Sequence, residues 1–465
     1  MPLVMRSPAD LPRAEVVSRF LGRFIEPLFA SEAAIAAAIN AAYQQRVGQA
    51  QTLIETMDRS GVLEEVRQLQ GREDLLDVAS RAPVIKLVNL ILFEAVKAQA
   101  SDVHVQPYEE TLVIRMRIDG VLYDSFDVPK NLQNEITSRI KVMGRMNIAE
   151  KRLAQDGRAT VKVGDRIIDL RLATLPTSCG ERVVIRLLDK SLRRYRLSDL
   201  GMDAPTTAAF RELVRSEHGI VLVTGPTGAG KTTTLYAALE EINRKERNII
   251  TLEDPIEYAL EGVSQTQVSE KKGMTFVSGL RSVLRQDPDI IMVGEIRDQE
   301  TAIMAIQSAL TGHLVFSTLH TNDAASAISR LLDLGIEPYL LASSLIGVLA
   351  QRLVRQVCPD CAAPATPSAA DLRRLQRDTV PDDTARMKIG AGCVACRNTG
   401  YRGRLGIFEM LVVDDAIGRC IQARATASQI KAAAVQGGMK PLRDDGLAKV
   451  LAGTTTIDEV VRVTV

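Results

Sequence analysis

The chain contains 465 residues, of which 46% are hydrophobic and 25% are charged, and its formal net charge is +1. This length predicts about three domains, and the near-neutral charge argues against the basic surface of a nucleic-acid-binding protein. No apolar run approaches the roughly 18 residues that span a bilayer, and the N-terminus lacks the apolar core of a signal peptide. We therefore expect a cytoplasmic protein whose membrane contact goes through a partner or an amphipathic surface.

Residues 1–80 are rich in alanine, and their apolar residues recur at helical spacing. Asp10 can cap a helix whose apolar positions continue to Leu28. Further helices are expected over Ser31–Val47 and Gln51–Gln70. Nothing in this segment has catalytic spacing, so two interpretations stay open: a small helical bundle, and a docking segment that recognises a partner.

Residues 81–190 have the pattern of a compact α+β domain. Apolar positions predict helices over Pro83–Ala100 and Asn131–Met146. The dipeptide Asp119-Gly120 between two alternating runs is a strong hairpin signal. The predicted strands are Asp102–Gln106, Thr111–Ile118, Val121–Val128, Gly157–Val163, Arg166–Thr174 and Glu181–Leu188.

Residues 191–200 are polar and basic, and we expect them to form a linker. Residues 201–355 then alternate strands with helices, which predicts a mainly parallel sheet covered by helices. The predicted strands are Ile220–Thr224, Ile249–Leu252, Ile290–Val293 and Leu314–Thr318. Polar residues follow each strand at once, as expected where ligands bind at the carboxyl ends of a parallel sheet.

The first of these strands runs directly into a glycine-rich loop. Residues 225–232 match the pattern G-x-x-x-x-G-K-[ST], in which backbone N–H groups cradle phosphates at a helix N-terminus. The pattern predicts that Lys231 contacts the β- and γ-phosphates and that the Thr232 hydroxyl binds Mg²⁺. The predicted nucleotide-binding residues are Gly225, Pro226, Thr227, Gly228, Ala229, Gly230, Lys231, Thr232 and Thr233.

Three more strand ends carry side chains suited to hydrolysis. Glu295 is the first acid after the strand that begins at Ile290, and it can polarise an attacking water or hold a Mg²⁺-bound water. Glu253 and Asp254 are adjacent carboxylates, which repel each other unless a cation lies near. His320 can respond to the γ-phosphate or relay a proton, although a lone histidine at a strand end is more often structural.

Four arginines also need an explanation. Arg281 and Arg285 are four residues apart and should share one helix face. Arg171 and Arg186 lie within apolar strands, where a charge needs a partner. Two interpretations are open: buried ion pairs within each domain, and arginine fingers that complete a nucleotide site across a domain or subunit boundary.

Residues 356–400 hold four of the six cysteines as two C-x-x-C pairs. Together the pairs can supply four thiolates to one tetrahedral Zn²⁺ in a closed structural site. A redox dithiol is the alternative, but it needs only one pair. Beyond this insertion, residues 401–465 are expected to be helical. The predicted zinc ligands are Cys358, Cys361, Cys393 and Cys396.

Together these motifs resemble the type II secretion ATPases, a family related to type IV pilus motors. The resemblance covers about residues 81–465. It rests on GPTGAGKTTTLY, ITLEDPIEY, LRQDPDIIMVGEIRD, TGHLVFSTLHTNDA and the paired Cys-x-x-Cys, with ASDVHVQP, RIDG and LPTSCGERVVIRLLD before them. The family implies a multidomain α/β chain in which a PAS-like α+β domain precedes a RecA-like P-loop ATPase domain. A zinc insertion and C-terminal helices follow.

The resemblance also implies roles for individual residues. It makes Glu295 the catalytic glutamate, and it places Glu253 in an acidic box and His320 in a histidine box. The four arginines correspond to nucleotide-sensing arginines of the family. The implied catalytic set is Glu295, Glu253, His320, Arg171, Arg186, Arg281 and Arg285.

We therefore expect a homo-hexameric motor that uses ATP, Mg²⁺ and Zn²⁺ to drive assembly of a pilus-like filament for protein export. It is expected to lie peripherally on the inner membrane, with residues 1–80 docked on inner-membrane secretion platform proteins and without direct nucleic-acid contact. A type IV pilus assembly ATPase is the first alternative. A RecA-like nucleic-acid motor is the second, which the lack of a basic, aromatic-rich stripe argues against.

Overall fold

The computed structural model describes residues 83–464, apart from 164–165, 190–194, 244, 270–272, 367–370, 372–373 and 375–386, and short pieces of the first 82 residues. The chain divides into two compact units, Met1–Ser191 and Leu192–Val465. Among the described helices, none has both the length and the hydropathy that crossing a membrane requires.

The N-terminal pieces correct one helical prediction. Strand β1 (Pro2–Met5) pairs in parallel with strand β2 (Glu26–Phe29), so Leu28 lies in a strand rather than in a continuing helix. The physical reason is that Leu28 pairs with Val4 through backbone hydrogen bonds, which override helical spacing. The helices predicted over 31–47 and 51–70 lie almost entirely outside the described residues.

The first unit is built on a seven-stranded sheet. Its strands are β3 (Glu73–Asp74), β4 (Asp102–Pro107), β5 (Thr111–Ile118), β6 (Val121–Pro129), β7 (Gln155–Val163), β8 (Arg166–Thr177) and β9 (Gly180–Asp189). Their spatial order is β3-β7-β8-β9-β4-β5-β6, and each pair is antiparallel except β3 with β7. All six predicted strands of this unit are therefore present.

Two helices cover one face of this sheet, α1 (Pro83–Lys97) and α2 (Gln133–Met143). Leu112, Ile114 and Met116 are buried at alternate positions of β5 and share one core with both helices. The opposite face carries charged residues, because successive side chains of a strand point to opposite sides. The α+β prediction is confirmed, whereas the PAS-like assignment rests on the family resemblance alone.

The hairpin between β5 and β6 has the predicted turn. Ile118 pairs with Val121, and the two residues between them have positive φ angles, 49° at Asp119 and 84° at Gly120. Positive φ at both central positions defines the type I′ turn, whose twist matches that of the flanking strands.

The second unit contains another seven-stranded sheet, with helices α3 (Ala204–Val214), α4 (Lys231–Ile242), α5 (Phe276–Val283), α6 (Gln299–Leu310), α7 (Ala324–Asp333) and α8 (Pro338–Ser344). Its strands are β10 (Gly219–Thr224), β11 (Ile249–Glu253), β12 (Ser264–Gln267), β13 (Ile290–Val293), β14 (Leu314–Leu319), β15 (Leu345–Val357) and β18 (Tyr401–Val412). Their order is β12-β11-β13-β14-β10-β15-β18. Only β18 is antiparallel to its neighbour.

Strand β10 lies inside this sheet, and all six of its residues are buried. Apolar side chains of the sheet divide between two cores, one on each face. A strand that is covered on both faces has a continuous apolar sequence, and for this reason its position could be predicted from the sequence.

The start of the C-terminal region was predicted wrongly as helical. Residues 401–412 form β18, which pairs with β15 from Gly347 to Val357. The strand forms because Ile407, Phe408 and Leu411 bury their side chains in the cores of the sheet. The sheet thus recruits a segment that lies beyond the cysteines in sequence.

The polar segment before residue 201 is also more than a linker. Residues Leu197–Asp199 form a 3-10 helix, and Leu197 is buried in a core with Val221 and Leu235. Its apolar side chain anchors the start of the second unit.

The remaining elements are short. Two strands lie between the two cysteine pairs, β16 (Ala362–Pro364) and β17 (Lys388–Gly390), and pair with each other. As predicted, the end of the chain is helical, with α9 (Asp415–Gln422), α10 (Ala427–Gln436), α11 (Leu442–Leu451) and α12 (Ile457–Thr464).

Candidate nucleotide site

The glycine-rich loop lies between β10 and α4, as the sequence predicts. Its three glycines all have positive φ, at 154° for Gly225, 80° for Gly228 and 87° for Gly230, a region that side chains with a Cβ rarely enter. Helix α4 begins at Lys231 and has no side-chain cap. The first N–H groups of the helix are therefore left for a ligand, and the helix dipole favours an anion there.

Lys231 lies across the loop with 8% of its surface exposed. Its Nζ donates to the carbonyl oxygens of Gly225 at 2.7 Å and Pro226 at 3.2 Å, and it lies 3.5 Å from Nδ1 of His320. Burial lowers the pKa of Lys231 to about 8, although the nearby Glu295 carboxylate favours the charged form. A bound phosphate would stabilise the charged form of this partly desolvated lysine.

Glu295 and His320 follow neighbouring parallel strands, β13 and β14, and so meet at one edge of the sheet. Nε2 of His320 lies 3.3 Å from Oε2 of Glu295, whose side chain is 17% exposed. Arg297 also pairs with Glu295. Sequence reasoning did not single out Arg297, although it stands within the GEIRD motif.

His320 connects the carboxylate to the lysine. Because Lys231 can only donate, Nδ1 of His320 accepts, and the proton of a neutral ring then lies on Nε2, facing Glu295. Burial and the positive charge of Lys231 lower the pKa of His320, and Glu295 opposes this shift. The ring is therefore neutral near pH 7, and Glu295, His320 and Lys231 form one chain of polar contacts.

Glu253 is 2% exposed, and its carboxylate is bound by protein groups. Tyr236 donates its hydroxyl to it, and so do Thr251 at 2.5 Å and Gln265 at 3.1 Å. Burial and the adjacent Glu253 raise the pKa of Tyr236, which stays protonated as a donor. The next acid, Asp254, is exposed, so the two acids at this strand end have different surroundings.

Further contacts that the sequence did not reveal tie the loops of the site together. The Thr224 and Thr321 hydroxyl oxygens lie 2.7 Å apart, linking the end of β10 to the segment after His320. Arg352 is buried and donates to the Asn322 carbonyl oxygen at 2.7 Å. The only sequence signal for Arg352 was a charge within the apolar run that forms β15.

The arginines of the second unit lie on and just past helix α5. Arg281 pairs with Glu300 at 3.0 Å, and both side chains are more than half exposed. Arg285 lies beyond the end of the helix and donates to the Arg281 carbonyl oxygen at 2.8 Å. These described contacts are with neighbours in the same unit and not with the phosphate loop.

The arginines of the first unit form a row across its charged sheet face. Arg171 on β8 pairs in register with Arg186 on β9 and with Arg158 on β7. Nε of Arg186 donates to Asp102 at 2.9 Å, and the Arg186 side chain is 56% exposed. The expected ion pair is present for Arg186, but the expectation that its charge is buried is wrong, because its strand turns that side chain to the solvent face.

The four cysteines of the paired motifs come together at one point. All four sulfur atoms lie within 4.8 Å of one another, and three of the separations are 3.7, 3.8 and 3.9 Å. A tetrahedral zinc with Zn–S bonds of about 2.3 Å requires sulfur atoms about 3.8 Å apart. The described cysteines therefore fit a zinc ion in both donor type and spacing.

The chain matches a known protein family over most of its length. The family described as Type II/IV secretion system protein matches residues 77–462. The chain belongs to this family. The match includes the glycine-rich loop, the strand-end acids and the four cysteines.

Its relatives include both secretion and pilus proteins. Type II secretion system protein E of Aeromonas hydrophila is 51% identical, with 91% of this chain and 84% of the relative covered. Type II secretion system ATPase E of Vibrio cholerae is 49% identical, covering 93% and 86%. The type IV pilus assembly ATPase PilB of Myxococcus xanthus is 44% identical, covering 99% and 81%.

A solved structure shares the fold. The crystal structure of the pilus retraction motor PilT with bound ADP matches with a TM-score of 0.53 and 25% identity, covering 80% of this chain and 95% of that protein. This similarity supports an α/β ATPase fold for the chain.

Proposed function

We propose that this chain is the ATP-hydrolysing motor of a type II secretion system, coupling hydrolysis to pseudopilus assembly and to protein export across the outer membrane. The observation that carries the proposal is the chain of contacts from Lys231 through His320 to Glu295 beside the phosphate loop. It unites an anion-binding loop with a positioned carboxylate, the two parts that hydrolysis of a nucleotide needs. The relatives named as secretion proteins supply the biological setting.

The loop and Lys231 bind the phosphates in this proposal. When Lys231 turns from the carbonyl oxygens of Gly225 and Pro226 to the β- and γ-phosphates, it exchanges two neutral acceptors for charged ones. The Thr232 hydroxyl oxygen is the proposed ligand for Mg²⁺. This ion prefers oxygen ligands and would neutralise charge on the phosphates. ATP, Mg²⁺ and Zn²⁺ are therefore the proposed substrate and metals.

Glu295 is the proposed general base. Its carboxylate accepts a proton from the water that attacks the γ-phosphate, while Nε2–H of His320 holds one carboxylate oxygen in place. His320 thus positions the base and, through Nδ1, contacts the lysine that binds the same phosphate. Glu253 is proposed to have a positioning role: its buried carboxylate accepts from Tyr236 and Thr251 and so fixes the end of β11 beside the exposed Asp254.

The arginines are proposed to complete the site. Arg158, Arg171 and Arg186 lie in register on three adjacent strands, and this array of positive charges favours an anionic ligand. In agreement with the family resemblance, Arg171 and Arg186 are proposed to be nucleotide-sensing residues. Arg281 and Arg285 would serve the site of a neighbouring copy in a homo-hexamer with RecA-like domains.

The proposed location is the cytoplasmic face of the inner membrane. Residues 1–80 are proposed to dock on inner-membrane secretion platform proteins, so that membrane contact is indirect. The four-cysteine cluster is proposed to hold structural zinc. A type IV pilus assembly ATPase remains the second candidate, because a PilB protein is 44% identical over nearly the whole chain.

ATPase activity measured with and without the cytoplasmic domain of the inner-membrane platform partner tests this function. We expect stimulation that needs residues 1–80, and loss of turnover in Lys231→Ala. Complementation then separates the two candidates: the gene should restore secretion in a strain lacking its type II secretion ATPase and should not restore pili in a strain lacking its pilus ATPase. Restored pili without restored secretion would contradict the proposal.

A further inference from the structure

The phosphate loop is supported from behind by the neighbouring strand β15. Gln351 on this strand is 1% exposed. Its Nε2 donates to the Ala229 carbonyl oxygen at 2.6 Å, and its Oε1 accepts from the Thr234 hydroxyl at 2.8 Å. One amide thus joins the end of the loop to the first turn of α4.

The Gln351 amide satisfies a buried backbone carbonyl group of the phosphate loop. The loop must keep its N–H groups free for the ligand, so the helix cannot be capped from that side, and Gly230 at the cap offers no side chain. A buried carbonyl group of the loop nevertheless needs a donor. Ala229 is 3% exposed, and the Gln351 amide supplies the donor for its carbonyl oxygen.

The same strand also fixes the start of the loop. A Cβ atom built on Gly225 would lie 2.5 Å from the Gln351 carbonyl oxygen, so the backbone of β15 leaves room only for glycine. A Cβ on Gly230 would lie 3.2 Å from Nε2 of Gln351. Both ends of the loop therefore pack against this one residue.

We infer that Gln351 is a positioning residue that holds the phosphate loop in its nucleotide-binding shape. This inference rests on the proposed ATPase function. Gln351 acts through Ala229 and Thr234 and does not touch the nucleotide. Its effect therefore falls on nucleotide affinity in the ground and transition states alike, which raises KM more than it lowers kcat.

Two near-isosteric substitutions separate its two bonds. Gln351→Glu keeps the acceptor for Thr234 but places a carboxylate oxygen against the Ala229 carbonyl oxygen, whereas Gln351→Met removes both bonds. Gln356→Glu is the matched control, because Gln356 lies on the same strand but away from the loop. We expect about a tenfold weaker affinity for a fluorescent ADP analogue in both Gln351 variants, the loss that one unsatisfied buried acceptor produces.

The measurements are binding of the ADP analogue and steady-state ATPase kinetics of the full chain. We expect KM for ATP to rise about tenfold while kcat changes less than about threefold, with Gln356→Glu unchanged. If the wild-type chain failed to bind the analogue, the proposed function itself would be wrong. If the wild type bound it and both Gln351 variants matched it, only the positioning role would be wrong.

Thr234→Val leaves Gln351 unchanged and covers the case in which a Gln351 variant folds poorly; by itself it should weaken binding of the ADP analogue. Thr234→Val removes only the hydroxyl that Gln351 accepts from. Combined with Gln351→Met, it should weaken binding no further than Gln351→Met alone, because the shared contact is already lost. Fully additive losses would show that Gln351 does not act through Thr234 and would overturn that part of the inference.

Discussion

Nε2 of His320 lies 3.3 Å from Oε2 of Glu295, although the two residues are far apart in sequence. They meet because β13 and β14 are parallel neighbours that end at the same edge of the sheet. Lys231 lies on the other side of the histidine. A change in any one of these three side chains should therefore alter the surroundings of the other two.

Glu295→Gln should abolish hydrolysis while leaving nucleotide binding nearly intact. The amide keeps the shape of the side chain but cannot accept a proton from water. We expect kcat to fall at least about 100-fold, with the affinity for an ADP analogue within about threefold of wild type. Glu217→Gln, at an exposed position of the same unit, is the control. Turnover near the wild-type rate would remove Glu295 from the role of base.

Nucleotide affinity should depend on pH through Lys231. Its pKa is lowered to about 8, and the bound phosphates raise it again, so binding above pH 8 requires proton uptake. Affinity should be constant well below pH 8 and fall by up to about tenfold for each pH unit above it. Titration of ADP analogue binding from pH 6.5 to 9.5 measures this slope. Lys231→Arg, which stays charged throughout, should give a flat profile, and an identical slope would exclude Lys231 as its source.

Arg171→Ala and Arg186→Ala should each lower kcat about 100-fold if these arginines stabilise transferred charge. Folding should be little affected, because Arg186 is more than half exposed and its ion pair with Asp102 adds little stability. Kinetics and thermal unfolding together test this. Arg166→Ala is the control, because Arg166 lies at the exposed start of the strand that contains Arg171. A large drop in melting temperature with unchanged kcat would favour the purely structural interpretation.

One zinc ion per chain should copurify with the protein. Metal released by denaturation can be counted with a chromogenic chelator. Cys393→Ser should lose the metal and lower the melting temperature, because a closed four-thiolate site contributes directly to folding. Cys420→Ser changes a thiol outside the cluster and should retain the zinc. A metal-free wild type with a disulfide in its place would support the redox interpretation.

Glu459→Gln should destabilise the second unit. Glu459 is 1% exposed and pairs with Arg355 at 2.7 Å and Arg462 at 2.7 Å; these arginine hydrogen bonds lower its pKa to about 2 against the opposing effect of burial. Breaking such a buried pair costs about 3 kcal/mol. The lowered pKa also means that the stabilisation is present above about pH 4.5 and is lost as the pH falls towards 2.

Thermal unfolding at pH 7 and pH 4 measures both effects. The difference in melting temperature between wild type and Glu459→Gln should shrink at the lower pH. Asp458→Asn is the matched control, since its side chain is 71% exposed and should change the melting temperature little. A difference that did not depend on pH would exclude the ionised Glu459 as its cause.

The sequence by itself determined the position of the phosphate loop, the ends of four buried strands of the second sheet, and the pairing of four cysteines in two C-x-x-C motifs. These features depend on local rules: Gly225, Gly228 and Gly230 permit left-handed backbone, and continuous apolar runs specify buried strands. The position of Glu295 at a strand end indicated a role in hydrolysis, and the family resemblance implies that it is the catalytic glutamate; this role stays a prediction. Such signals lie within a few residues of one another and can be read directly from the chain.

Only the tertiary structure decided which distant residues meet. Gln351 and Arg352 support loops more than 25 residues away in sequence, and β18 joins the sheet across the whole cysteine insertion. Helical spacing also failed at Leu28, where strand pairing decided the local structure. The physical reason is common to these cases: a backbone or amide hydrogen bond across the sheet depends on register, and register is set by packing of the complete domain.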